Sequence, residues 1–217
     1  MTGVHPGRCE DGEVHIWEAG LDAPEVEIER LELELNADER QRARRFVLER
    51  ERRRYVAHRA RLRVLLSGYL GTTPRRVRLG REAGGKPVIM GENGEGRLRF
   101  NASHSEGMAL YSISRGLETG IDVERVREEL ARPWIAERFF EPREAARLRG
   151  LSGAEYAREF FGCWTRLEAR LKALGRGFAE ARARQVDHLQ VWAVQDLAID
   201  PGYAGAVAIA RSGGRAV

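Results

Sequence analysis

Gly120-Ile121-Asp122-Val123-Glu124 sets two carboxylates two residues apart inside an otherwise apolar, β-branched run, and the fold follows from how that run is read. On a strand, successive side chains alternate faces, so Asp122 and Glu124 share one side while Ile121 and Val123 turn into a core. Two acids on one face repel unless a cation holds them. Hard dications such as Mg²⁺ take oxygen ligands and use only one or two carboxylates, leaving positions for water and phosphate. The plainer alternative is a half-exposed edge strand whose polar face is acidic.

The chain around this strand has 217 residues, enough for one large domain or two small lobes. Its N-terminus lacks a basic segment followed by an apolar run, and no stretch is apolar for long enough to span a bilayer, so a cytoplasmic location is expected. Cys9 and Cys163 are the only cysteines. They lie far apart without a metal-ligand spacing, so neither a disulfide nor a zinc site is expected, and Cys163 reads as a core filler. Of 37 basic residues only Lys86 and Lys172 are lysines. Such a bias reflects codon composition, which makes the two lysines the informative positions, each a compact charge that can be set on an anion.

Before the acidic strand, Val14 and Ile16 alternate into a turn at Gly20, which suits an opening strand. Leu31, Leu33 and Leu35 fit strand or helix. Asn36 with Glu39 three residues on forms a capping box, which predicts a helix running through Phe46. A second helix over Glu51 to Leu70 places Tyr55, Val56, Leu62, Leu65, Leu66 and Tyr69 on an apolar stripe. Eleven arginines lie between residues 40 and 63. A basic helix pair suits nucleic acid, an acidic protein or a phosphorylated small molecule, but a solvated surface with local pairs to Asp38, Glu39, Glu49 and Glu51 is the preferred reading for most of them.

Gly84-Gly85-Lys86-Pro87 is a glycine turn presenting a lysine, and a hairpin would look the same. Ser103, His104 and Ser105 offer hydroxyl and imidazole donors suited to phosphate. A nucleophilic serine paired with His104 is discounted, because neighbours on an extended chain face opposite ways and no nucleophile-elbow pattern surrounds them. Beyond the acidic strand, Pro142 marks a helix start, and a long helix from Ala154 to Leu174 carries Glu168 and Lys172 on one face. Taken alone, that spacing describes an exposed Glu-to-Lys pair. Two strands, Leu189 to Val194 and Ala204 to Ala210, close the chain.

Taken in order, Arg54, Gly85-Lys86-Pro87, Phe100-Asn101-Ala102-Ser103-His104-Ser105, Gly120-Ile121-Asp122-Val123-Glu124, Phe139-Phe140 with Glu144, Trp164-Thr165-Arg166-Leu167-Glu168-Ala169-Arg170-Leu171-Lys172 and Pro201-Gly202-Tyr203 resemble the 4′-phosphopantetheinyl transferases of the Sfp type. The resemblance implies an α+β fold, a pseudo-dimer of two similar lobes, each a small antiparallel sheet on a long helix. The lobes would be residues 1–114, on the coenzyme A side, and 115–217, on the metal and catalytic side. It implies transfer of the phosphopantetheine arm of coenzyme A to a serine of an apo acyl or peptidyl carrier protein, releasing adenosine 3′,5′-bisphosphate. Asp122, Glu124 and Glu168 would hold Mg²⁺, with Mn²⁺ fitting as well. Glu168 or a water on the metal would take the serine proton, and Lys172 would sit on the phosphate nearest the leaving group. Arg54, Ser103 and His104, assisted by Arg42, would grip the 3′-phosphate, with Lys86-Pro87 along the adenine. The implied protein is a monomer without nucleic-acid or membrane partners.

Two positions depart from the family pattern. Leu167 stands where a lysine is usual, and Arg170 is expected to supply part of that charge. Glu39 stands where relatives often place a basic residue. Two rival functions follow: a catalytically weakened coenzyme A-binding homologue, which would explain Leu167, and an arginine-rich nucleic-acid-binding protein, which would leave the acidic residues unexplained.

Overall fold

The computed structural model describes residues 8–82, 84–91, 97–176 and 191–211. It shows an α+β fold in which one topology occurs twice. The first instance begins with β1 (Val14–Gly20), passes through the helices α1 (Glu25–Glu32), α2 (Ala37–Ala43) and α3 (Glu49–Leu70), and reaches a short hairpin, β2 (Arg78–Arg81) and β3 (Pro87–Met90). It ends with β4 (Leu98–Ser105) and β5 (Met108–Arg115). The second begins with β6 (Leu117–Arg125), passes through α4 (Pro133–Phe139), α5 (Pro142–Leu148) and α6 (Gly153–Ala173), and ends with β7 (Val191–Asp196) and β8 (Tyr203–Arg211). In each, the last strand inserts between the other two, giving the antiparallel orders β1-β5-β4 and β6-β8-β7.

Local chemistry accounts for the boundaries. Asn36 accepts from the Glu39 backbone N–H while Glu39 bonds back to the Asn36 N–H, the expected capping box. The helix it opens stops at Ala43, short of Phe46. The leucines at 31, 33 and 35 lie at the end of α1 and in the turn after it, with Leu33 exposed and Leu35 fully buried. The apolar stripe of α3 packs Val56, Leu62, Leu65 and Leu66 against Tyr111 and Ile113 of β5 in one core. The closing strand expected from Leu189 begins at Val191, and residues 189 and 190 lie outside the described residues.

The arginines of α3 are less a solvated face than a set of ties between helices. Arg52 reaches Glu49 and Glu32, Arg61 reaches Glu27, and Arg59 and the fully buried Arg63 both hold Glu39. Glu39, the acid found where a base is usual, is therefore a buried counter-ion and helix cap. Removing one member of such a buried set leaves an uncompensated charge.

Between the two sheets, β4 and β6 run side by side in the same direction, joined by side chains rather than a backbone ladder. Arg99, Asn101, Ser103 and Ser105 alternate along β4 onto one face. They bond in sequence to Glu118, the Ile121 N–H, Asp122 and Glu124 of β6. Gly120 faces α6 at this point. A Cβ there would lie 2.1 Å from the Ala169 carbonyl oxygen and 2.3 Å from the Ala173 nitrogen, so the glycine lets the helix that carries Glu168 and Lys172 press onto the acidic strand. Gly120→Ala is expected to cost about 1–3 kcal/mol through backbone displacement. Thermal unfolding should show a fall of roughly 2–4 °C per kcal/mol for a chain of this size.

Candidate active site

Ile121 and Val123 are fully buried in a core with Met108, Leu110 and Val207. Asp122 is also buried, 3% exposed, because its face of β6 is covered by β4 and α6. Its Oδ1 accepts from Lys172 Nζ at 2.6 Å and from Ser103 Oγ at 2.8 Å. The same ammonium donates to Ser103 Oγ at 3.0 Å and to the Ile121 carbonyl at 3.3 Å. Asp122 Oδ2 is buried with no hydrogen-bond partner, a costly state for a carboxylate oxygen. Two residues on, Glu124 Oε2 accepts from Ser105 Oγ at 2.8 Å, and that hydroxyl accepts from the Arg125 N–H.

Glu168 completes the group from α6. Burial, and then repulsion from Asp122, hold its carboxyl above the ordinary range, with Glu124 adding to the shift and Lys172 opposing it. Burial likewise raises Glu124, with Asp122 as its next cause, and raises Asp122 against the pull of Lys172. Three acids, all raised by burial and two of them also by Asp122, stand beside one ammonium and leave a local excess of negative charge. The expected exposed Glu-to-Lys pair is not what forms: Lys172 binds Asp122 across to β6.

The donors present are hard carboxylate and hydroxyl oxygens, and one buried oxygen is unpartnered, so the set fits a dication such as Mg²⁺. Among the described residues the trio whose ligand atoms all come within 4.8 Å of one another is a different one, Cys9, Glu13 and His15. The three acids stand wider apart, with the Lys172 ammonium on Asp122.

The residues expected at a 3′-phosphate are distributed differently. Arg54 forms a two-pronged bond to Asp22 at 2.8 and 2.9 Å, and this guanidinium holds Asp22 below the usual carboxylate range. Ser103 belongs to the acidic group. His104, one residue on and so facing the other way, lies against His58 with ring centroids 4.6 Å apart. Burial, then the Lys172 charge, lower the His104 pKa, and burial lowers that of His58 much further, so both imidazoles are neutral at neutral pH. Arg42 sits over the Tyr55 ring and lines a surface cavity with Asp38, Gln41, Arg45 and Phe46.

Lys86 donates to Glu118 Oε2 at 2.6 Å and to the Ala173 carbonyl at 3.0 Å, tying the turn before Pro87 to β6 and to the end of α6. Burial alone would raise Glu118, but Lys86 and Arg99 outweigh it and hold that carboxyl low. Leu167 is buried with Phe140, Phe160 and Leu171, and Arg170 donates to Glu141 at 3.0 Å, a partner it would have to leave to supply the charge that Leu167 lacks. Cys163 is the expected core filler, its thiol pushed up to about 12 by burial. Ser105, which the sequence offers as a phosphate donor, orients Glu124 instead. Its true partner was hidden because 105 and 124 meet only through the packing of β4 on β6.

Comparison with known proteins covers most of the chain. Residues 118–205 match the family model described as the 4′-phosphopantetheinyl transferase superfamily, and residues 24–113 match 4′-phosphopantetheinyl transferase, N-terminal. The 4′-phosphopantetheinyl transferase HetI of Nostoc is 37% identical over 93% of this chain and 89% of its own length. A phosphopantetheinyl transferase of Thraustochytrium is 30% identical over 68% of this chain and 55% of its own. The 4′-phosphopantetheinyl transferase of Bacillus subtilis is 26% identical over 70% of this chain and 66% of its own.

Proposed function

Because the chain belongs to the 4′-phosphopantetheinyl transferase superfamily, we propose that it transfers the phosphopantetheine arm of coenzyme A to a serine hydroxyl of an apo carrier protein in a dication-dependent reaction. The observation that carries this reading is the group of buried Asp122 with half-buried Glu124, Glu168 and Lys172, in which one Asp122 carboxylate oxygen has no partner.

Asp122, Glu124 and Glu168 would hold Mg²⁺. When bound, the ion supplies positive charge to the pyrophosphate of coenzyme A, the term that dominates phosphoryl-type transfer. Ser103 and Ser105 fix the rotamers of Asp122 and Glu124 by donating to them, which limits reorganisation when the phosphates arrive. Lys172, on a half-buried stem between Ser103 and Asp122, offsets the charge of Asp122 and stands ready to donate to the leaving phosphate. Glu168 bonds to none of these side chains. Free of those bonds and close to the other acids, it is suited to accept the proton of the incoming serine. The guanidinium groups of Arg42 and Arg45 in their shared cavity offer charge to an anionic end of the co-substrate. Arg54 would have to exchange Asp22 for phosphate to take part.

An acidic partner suits the arginine-rich surface, since complementary charge speeds encounter. Among the described residues no helix is long and apolar enough to cross a membrane. The test mixes the protein with coenzyme A, Mg²⁺ and apo carrier proteins and follows the carrier mass. Gain of the phosphopantetheine mass on the carrier serine is expected. No gain on any of several carriers, with coenzyme A still bound, would favour a binding homologue without transfer.

A further inference from the structure

At the edge of the first sheet opposite β4, the chain enters β1 through a turn that gathers three ligand-type side chains. The Cys9 sulfur, a Glu13 carboxylate oxygen and a His15 ring nitrogen all lie within 4.8 Å of one another, with His15 Nε2 3.4 Å from Glu13 Oε2. We propose that Cys9, Glu13 and His15 form a binding site for a borderline-soft dication, Zn²⁺, separate from the acidic group on β6.

Spacing along the chain gives no hint of such a site, because it contains a single cysteine. The turn makes it. The Glu13 N–H donates to the Glu10 carbonyl, Gly12 takes a φ of 86°, and the Gly12 N–H and the Arg115 side chain bind the chain back to β5 and Cys9. Glu13 and His15, two residues apart at the start of a strand, share a face, and the turn folds Cys9 under them. A tetrahedral zinc with bonds of about 2.0–2.3 Å sets its ligand atoms roughly 3.3–3.8 Å apart, so small side-chain shifts would close the trio.

The surroundings match those of a ligating imidazole. His15 Nδ1 is 2.7 Å from the Tyr69 hydroxyl, and that hydroxyl accepts from Trp17 Nε1 at 3.0 Å. With Nδ1–H donating to that oxygen, Nε2 presents its lone pair toward Glu13 and Cys9, and a fixed partner on the far nitrogen is the usual support of a metal-bound histidine. The thiol is 1% exposed, and its contacts with the Glu10 and Glu13 carbonyls are long, 3.8 and 3.7 Å. Burial, then the Glu13 charge, push the thiol above its ordinary value, so a bound dication would displace a proton. One sulfur, one nitrogen and one oxygen favour zinc over Mg²⁺, which prefers oxygen alone, and three protein ligands leave a fourth position open.

Cobalt reports on such a site directly, through a thiolate-to-metal charge-transfer band and the strong visible bands of tetrahedral Co²⁺. The full chain, with Mg²⁺ in excess to occupy the acidic residues, is titrated with Co²⁺ and then with Zn²⁺. The proposal expects both band sets to saturate at one equivalent, to vanish on adding Zn²⁺, to persist in Cys163→Ser and to be lost in Cys9→Ser and in His15→Gln. His15→Gln serves as the second variant should Cys9→Ser fail to fold. Absence of the charge-transfer band in the wild type overturns it, as does a band that survives Cys9→Ser or His15→Gln, or one lost in Cys163→Ser.

Discussion

Asp122→Asn is expected to lower phosphopantetheinyl transfer by about 10²–10³-fold, the range seen when one preorganised electrostatic contact is removed from a reacting centre. The variant is chosen over alanine for a structural reason. Asp122 is buried and holds Lys172 at 2.6 Å. An alanine would leave the ammonium without its partner and mix a folding defect into the result. Asparagine keeps an oxygen for Lys172 and Ser103, and places an amide N–H where Oδ2 already lacks a partner, at about 1–3 kcal/mol.

A second readout separates charge from fold. Asp122, Glu124 and Glu168 all have folded pKa values above their ordinary ones, so the folded protein binds more protons than the unfolded chain between the two sets of values. The cluster's contribution to stability is therefore fully present below the ordinary carboxylate range and is lost as pH rises through the raised folded values. A dication that binds only the folded state opposes that loss by mass action. Mg²⁺ should raise the wild-type thermal midpoint near pH 7.5, raise it little near pH 4, and raise that of Asp122→Asn less at either pH. Wild-type transfer by the variant at limiting Mg²⁺ would return the stretch to an acidic edge strand.

Elements with local signals were legible in the sequence, and contacts between them were not. The Asn36–Glu39 capping box, the stripe of α3 and the span of α6 rest on spacings within one element. The resemblance brought Asp122, Glu124, Glu168 and Lys172 together because it carried tertiary information that no spacing contains. Where an arginine or lysine lands depends on what packs beside it. Arg54 found Asp22, Lys86 found Glu118 and the end of α6, and Arg170 found Glu141. Each cation was open to a phosphate assignment from sequence, because the acid that meets it lies 29 to 32 residues away. Ser103 and Ser105 show the same limit, since their register against Asp122 and Glu124 exists only once β4 lies along β6.

Glu168→Gln should separate the proton acceptor from the remaining charge, lowering kcat by about 10²–10⁴-fold, the usual worth of a positioned general base. Glutamine preserves the shape of the side chain and removes one negative charge from a group that has an excess. The variant is thus expected to be at least as stable as the wild type without metal, because burial and the repulsion of Asp122 and Glu124 against Glu168 are both relieved. Loss of activity with equal or greater stability is the signature of a residue kept for chemistry against its folding cost. The pH profile carries the stronger test. A base must be unprotonated to act, so wild-type kcat should fall on the acidic side as Glu168 protonates, a bound dication opposing the upward push that burial and Asp122 give that carboxyl. In Glu168→Gln that acidic limb should vanish from the residual rate, whereas a residue that only shaped the site would lower the rate and leave the limb in place. Since Asp122 and Glu124 also titrate upward of their ordinary values, Mg²⁺ must be saturating at each pH. A limb that persists in the glutamine variant under those conditions would move the proton acceptor elsewhere in the group, with Glu124, held by Ser105 on the same face of β6 as Asp122, as the next residue to test.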